Sequence, residues 1–187
     1  MEMENLMNLP AVDPASCAVR PWYVLMAKPQ HEMAVAEQLR ARGVEEYLPL
    51  YTVKRRWRDR TATLSLPLFP RYVFCRSAFE DRLKVLQLLS VTSIVSFGGK
   101  PSPVANEEIE TIKAMVSSGR PLRPWPCVNV GERVRICEGS LEGVEGILVR
   151  EKSGYRVVIN VEVLNRAVAV EIERDMVRAV GSPSVRG

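Results

Sequence analysis

The sequence predicts two units in tandem: an α+β domain, made of an antiparallel sheet with flanking helices, and a small all-β barrel after it. Three observations carry this prediction. Between Trp22 and Val116, short apolar runs of strand period are interleaved with stretches of helical period. Residues Ser117 to Pro126 then hold Pro121, Pro124 and Pro126 with Gly119 and no packing period, which is the composition of a linker. Beyond it, five β-rich runs separated by glycine-bearing turns fall within about fifty residues, and a sheet of such short strands loses its open edges by curling closed. The expected divisions are a flexible leader over residues 1–20, the α+β domain over 21–117, the linker over 118–126, the barrel over 127–180 and a tail over 181–187.

Each element has a local reason. Trp22 to Ala27 is a short apolar run stopped by Lys28-Pro29, because proline removes a ladder donor and fixes φ. His31 to Arg42 reads as a helix with Val35, Ala36 and Leu39 on one side and Gly43 as its left-handed C-terminal cap. Glu46 to Val53 alternates as a strand that Pro49 confines to an edge or a bulge. Lys54 to Arg60 holds five bases and one acid, and the desolvation cost of burying them makes it an exposed tip. Leu64 to Cys75 resumes extended structure interrupted by Pro67 and Pro70, with Tyr72 and Phe74 on one face. Glu80 to Leu89 reads as a second helix whose core contacts are either Leu83, Leu86 and Leu89 or Val85 and Leu88. Val91 to Phe97 is a strand ended by Gly98-Gly99, and Asn106 is expected to cap a third helix carrying Ile109 and Ile112. In the barrel the expected strands are Arg133 to Cys137, Val144 to Arg150, Arg156 to Val163, Ala167 to Ile172 and Met176 to Ala179.

Charge and composition narrow the function. Of 26 Lys and Arg and 22 Asp and Glu, residues 1–126 hold 17 basic and 13 acidic groups while residues 127–180 hold 8 and 9, so the basic excess sits in the first unit. No apolar run approaches the roughly 18 residues of a membrane span, and acids stand where a signal peptide carries Lys or Arg, so a cytoplasmic, membrane-free protein is expected. Cys17, Cys75, Cys127 and Cys137 form no C-x-x-C pair and His31 is the single histidine, so four unpaired thiols, no metal and no cofactor are expected. The absence of G-x-x-x-x-G-K-[ST], of G-x-S-x-G and of any nucleophile motif around His31 argues against an enzyme.

Three motifs in order resemble those of the NusG family of transcription elongation factors, and the resemblance runs from Trp22 to Val180. Trp22-Tyr23 resembles the opening of the family's N-terminal domain. Pro67-Leu68-Phe69-Pro70-Arg71-Tyr72-Val73-Phe74 is similar to its central signature, with Arg71 adding a charge where a small or polar residue is usual. Gly131-Glu132-Arg133-Val134-Arg135-Ile136, with Gly139-Ser140-Leu141-Glu142-Gly143, resembles its KOW motif, which implies an SH3-like barrel. The resemblance implies a factor whose N-terminal domain docks on the clamp helices of RNA polymerase and reduces pausing or termination, and whose KOW domain recruits Rho or a small-subunit ribosomal protein. The basic hairpin, and Leu164-Asn165 and Val168-Ala169 where housekeeping members carry Phe-Gly and Thr-Pro, are more like the operon-specialised RfaH and UpxY paralogues. A housekeeping factor and an RNA-binding or ribosome-associated KOW protein are the alternatives, and a monomer is expected throughout.

The same resemblance nominates residues. Met26, Pro70, Tyr72, Phe74, Phe97, Ile109 and Ile112 match the polymerase-docking surface, against the plain alternative that such residues are core. Lys28, Gln30 and His31 match positions that touch the non-template DNA strand in the transcription bubble, and a solvated turn is the alternative. Arg55, Arg56, Trp57 and Arg58 combine cations with a stacking ring, a mixture suited to nucleic acid, although charged tips are often only solvated. Leu141 and Val144 match the loop that holds the KOW partner, or else plug the barrel end. The β-branched run Val157 to Val163 and the glycines around it disfavour a helical alternative fold, so a β-structured second unit, tethered but free of the first, is expected.

Overall fold

The structure, a computed structural model, describes residues 20–57, 60–78, 81–127, 131–151 and 154–180. The tail, Arg58 and the leader apart from Arg20 lie outside the described residues. The first unit runs β1 (Trp22–Ala27), α1 (Glu32–Ala41), β2 (Glu45–Tyr47), β3 (Leu50–Trp57), β4 (Arg60–Pro67), β5 (Tyr72–Arg76), α2 (Arg82–Leu86), β6 (Val91–Ile94), β7 (Ser96–Phe97), β8 (Lys100–Pro101) and α3 (Asn106–Ser117). The second runs β9 (Leu122–Pro126), β10 (Glu132–Ile136), β11 (Glu145–Glu151), β12 (Gly154–Val161), β13 (Arg166–Ile172) and β14 (Val177–Ala179).

Strict alternation in β1 sends Trp22, Val24 and Met26 to one face and Tyr23, Leu25 and Ala27 to the other, and both faces are apolar, so this strand lies inside a sheet covered on two sides. The sheet is antiparallel in the order β2-β5-β1-β6. Tyr23, Leu25, Ala27, Val73 and Cys75 pack with Val35, Ala36 and Leu39 of α1 and with Val85 and Leu88. On the opposite face Trp22, Val24 and Phe74 belong to one apolar cluster with Ile109, Ile112 and Met115 of α3. That cluster continues into Val134, Ile136 and Leu141 of the second unit, where α3 touches the turn Gly139–Leu141.

Several expectations change in detail. Pro49 splits the strand expected over Glu46 to Val53: β2 is the edge strand, and β3 leaves the sheet to pair, among the described residues, only with β4. The second helix shortens to Arg82–Leu86, with Val85 and Leu88 buried and Leu83, Leu86 and Leu89 exposed, which selects the second of the two core patterns. Asn106 does not cap α3. It is the helix's first residue after the extended Ala105, and its side-chain oxygen accepts a hydrogen bond from Arg76 Nη2 at 2.7 Å instead.

The second unit is a six-stranded antiparallel sheet in the order β14-β10-β11-β12-β13-β9, one strand more than expected. Part of the expected linker supplies it. Leu122 to Pro126 pair with β13 from Val170 to Arg166, an edge position in which the missing amides of Pro124 and Pro126 are tolerated. The chain between α3 and this strand is therefore short. The second unit, expected to hang free, is seated on the first, because the sheet face and α3 leave an apolar surface that it covers.

Close packing makes one glycine in the second unit indispensable. A Cβ on Gly146 in β11 would stand 2.6 Å from both Val157 Cγ1 and the Val158 carbonyl oxygen, closer than van der Waals contact allows. Gly146→Ala is expected to destabilise the second unit by about 1–3 kcal/mol, the range of overpacked cores. Denaturant unfolding of the full chain checks this.

Candidate functional site

Two sheet strands, one helix, two hairpins and the turns at Lys28–His31, Pro70 and Leu141–Val144 carry the nominated residues. Met26 and Tyr72 face each other in the β1/β5 register and are both half-buried at the end of the sheet. Pro70, in the turn before β5, is exposed, and Phe97, beside the Gly98-Gly99 turn of the β7/β8 hairpin, is 87% exposed. Phe74, Ile109 and Ile112 are fully buried. Phe74 meets Phe69 edge-on at 5.9 Å between ring centroids and Tyr47 at 6.3 Å. The nominated polymerase-docking set thus divides into an accessible rim of Met26, Pro70, Tyr72 and Phe97 and a covered centre. A cavity of about 260 Å³ separates Leu68, Phe69, Pro70 and Tyr72 from Pro124, Trp125, Pro126, Arg166 and Ala167 of the second unit.

Lys28, Gln30 and His31 occupy an exposed turn whose shape is heavily determined. The Lys28 amide donates to the Ser90 carbonyl at 2.8 Å and the Ala27 amide to the Arg71 carbonyl at 2.7 Å. Gln30, Arg71 and Ser90 all have left-handed backbones, at φ 64°, 73° and 75°, which side chains other than glycine adopt only where surroundings insist. Glu32 supplies part of that insistence. Its buried carboxylate accepts the Arg71 amide at 2.7 Å, tying the first turn of α1 to the start of β5. His31 Nδ1 lies 2.9 Å from the Pro29 carbonyl and, since a carbonyl only accepts, is a donating nitrogen. Arg71 is exposed and adds a second cation, beside Lys28, to the corner. Glu32 as a positioning residue is missed in the sequence, where an acid in a first helical turn reads as a dipole contact alone.

The basic tip is a ribbon. In the β3/β4 register Lys54 faces Thr63, Arg55 faces Ala62 and Arg56 faces Thr61, and Trp57 ends β3 opposite Arg60. Alternation therefore puts Lys54 and Arg56 on one face and Arg55 on the other, so the nominated cations do not form one surface. Of the nominated partner-loop residues, Leu141 is buried in the cluster shared with α3 and Val144 is half-buried against it.

Burial pushes the Cys75 thiol up to about 12, which keeps it protonated and unreactive. No group of three or more His, Cys, Asp and Glu is placed to hold a metal ion, and no helix is long and apolar enough to cross a membrane, among the described residues.

A family model described as transcription termination factor nusG matches residues 20–113. The transcription termination/antitermination protein NusG of Lactococcus lactis subsp. lactis strain IL1403 is 26% identical over 174 residues, which cover 85% of this chain and 92% of that protein. A solved structure of domain interaction in Thermotoga maritima NusG has a TM-score of 0.53 at 23% identity, covering 86% of this chain and 97% of that one, and shows a shared fold.

One group on the covered face is electrostatically out of place. Glu108 of α3 has a buried Oε2 with no hydrogen-bond partner among the described residues. Burial first, and the charge of Glu162 from the second unit next, hold its carboxyl above the usual carboxylate range. A carboxyl with a higher pKa in the closed arrangement than in the open one favours closure below its ordinary pKa. That contribution is lost as pH rises through the raised value, so ionised Glu108 opposes closure at neutral pH. Glu108→Gln is expected to slow amide hydrogen exchange of α3 severalfold at pH 7 relative to the parent, after correction for intrinsic exchange, with the difference vanishing near about pH 4.

Proposed function

The chain belongs to the NusG family of transcription termination/antitermination factors, and we propose that it binds RNA polymerase through the sheet face around Tyr72, docking on the clamp helices to reduce pausing or termination. Family members work with RNA polymerase and are transcription factors rather than enzymes. The observation that carries the reading is the directly paired, half-buried Met26 and Tyr72 beside the exposed Pro70: apolar groups at the open margin of a cluster whose centre is covered by a unit joined through a short connection. In this reading polymerase takes the place of the second unit, which swings off α3 about residues 118–121.

The second unit would then act as an SH3-like KOW barrel that recruits Rho or a small-subunit ribosomal protein through Leu141 and Val144. Burial of Leu141 against α3 makes that recruitment depend on the same separation. Lys28, Gln30 and His31 would meet the non-template strand, with the fixed turn presenting an exposed cation and an exposed imidazole ring to phosphate and unpaired base. The exposed cations of the β3/β4 ribbon support a nucleic-acid role for that element as well. An operon-specialised role fits the basic hairpin and the departures at Leu164-Asn165 and Val168-Ala169. The L. lactis relative, matched over 92% of its length, favours a general role instead. A chromosome-wide map of the factor on transcribed genes separates the two, with occupancy confined to a few operons expected for the specialised role and occupancy across most genes for the general one.

Phe74→Ala is a poor test of docking, because removing a fully buried aromatic costs about 3–5 kcal/mol of stability. Tyr72→Ala combined with Phe97→Ala is the informative variant. Interface anchors contribute about 2 kcal/mol or more each, so affinity for core RNA polymerase is expected to fall well over tenfold while the fold is retained. A folded double variant that binds like the parent contradicts the docking face.

A further inference from the structure

The β3/β4 hairpin pairs with no other strand among the described residues, and its two faces are chemically opposed. On one face the cross-strand pairs are Thr52 with Ser65, Lys54 with Thr63 and Arg56 with Thr61, and all six residues are exposed. On the other, Tyr51 faces Leu66 and Val53 faces Leu64, all half-buried, and β3 there approaches β9 of the second unit. Each cation of the first face is thus opposed by a hydroxyl. Lys54 and Arg56 have no carboxylate partner among the described residues, and neither has Arg55 on the other face, whereas Arg40, Arg76, Arg123, Arg135, Arg156 and Arg174 all do.

We propose that this hairpin lies in the major groove of B-form duplex DNA, with Lys54 and Arg56 on backbone phosphates and the hydroxyls of Thr52, Thr61, Thr63 and Ser65 on phosphates and base edges. The proposal rests on the reading that the hairpin meets nucleic acid, and it names the form. A major groove about 12 Å wide admits a two-stranded ribbon. The deep, narrow major groove of A-form RNA does not. Residues i and i+2 of a strand lie about 6.8 Å apart, a spacing that lets the two cations reach neighbouring phosphates of one DNA strand. Hydroxyls both donate and accept and pair with any base. The contact therefore positions the protein on duplex DNA beside the bubble and reads sequence weakly.

Fluorescence anisotropy of the full chain with a DNA duplex of about 20 base pairs, the same sequence as duplex RNA, and the single DNA strand tests this across a salt series. The DNA duplex is expected to bind at least tenfold tighter than either other probe. Lys54→Gln with Arg56→Gln should weaken DNA-duplex binding at least tenfold at about 0.1 M salt and reduce the slope of log affinity against log salt by about 1.8, two phosphates' worth. Thr61→Val with Thr63→Val, shape-conserving on an exposed strand, should weaken it severalfold with the slope unchanged. Arg55→Gln, on the other face, should change both by much less than half of the double variant's effect. Equal or tighter binding of duplex RNA or the single strand overturns the groove assignment, as does an Arg55→Gln effect equal to half that of the double variant. Those results leave the hairpin a nucleic-acid contact of another kind. Unaltered binding of all three probes by Lys54→Gln with Arg56→Gln overturns both readings.

Discussion

Everything in this molecule is arranged around a strand that must be buried on both sides. β1 carries aromatic and aliphatic groups in both phases of its alternation, so the sheet it centres needs two covers. Helices α1 and α2 supply one. The other is composite: α3 covers Trp22, Val24 and Phe74, and the second unit closes over α3 through Val134, Ile136 and Leu141. A single helix does not hide that face, and the hydrophobic effect does not distinguish a domain of the same chain from a partner protein. The same apolar surface can therefore hold the second unit at rest and, in the proposed reading, polymerase during elongation. Ionised Glu108, facing Glu162, weakens the resting contact at neutral pH and keeps the exchange within reach.

The polar elements are placed by the same constraint. β3 and β4 leave the sheet at Pro49 and so escape burial, which lets Lys54 and Arg56 stay hydrated without carboxylate partners. The Lys28 to His31 turn sits where β1 emerges from the sheet, clamped by Ser90 and by Arg71, itself held by Glu32. Rigid apolar structure thus presents two cationic elements at the margins of the face proposed for polymerase.

Much of this was legible in the sequence because it depends on local periodicity. The strand at Trp22, the helix ended by Gly43 and the five C-terminal strands follow from alternation, helical spacing and turn residues. What escaped depends on distant partners. Leu122 to Pro126 read as linker because two prolines, with Pro121 just before them, hide the edge-strand role that pairing with β13 permits. Asn106 read as a cap because Arg76, thirty residues away, was not in view. Among site residues, the pairing of Met26 with Tyr72 required the β1/β5 register. The burial of Phe74, Ile109, Ile112 and Leu141 in one cluster required knowing that the two units touch. The opposed faces of the ribbon were latent in its alternation, but composition alone merged Arg55 with Arg56.

The central claim is that the face proposed to dock polymerase is the face the second unit covers. The most direct measurement compares the affinity of core RNA polymerase for the full chain with its affinity for residues 20–117 alone, once the fragment is shown to fold. If the claim holds, the fragment binds more tightly, by the inverse of the fraction of full-length molecules that are open. Equal affinity of a folded fragment and the full chain would contradict it.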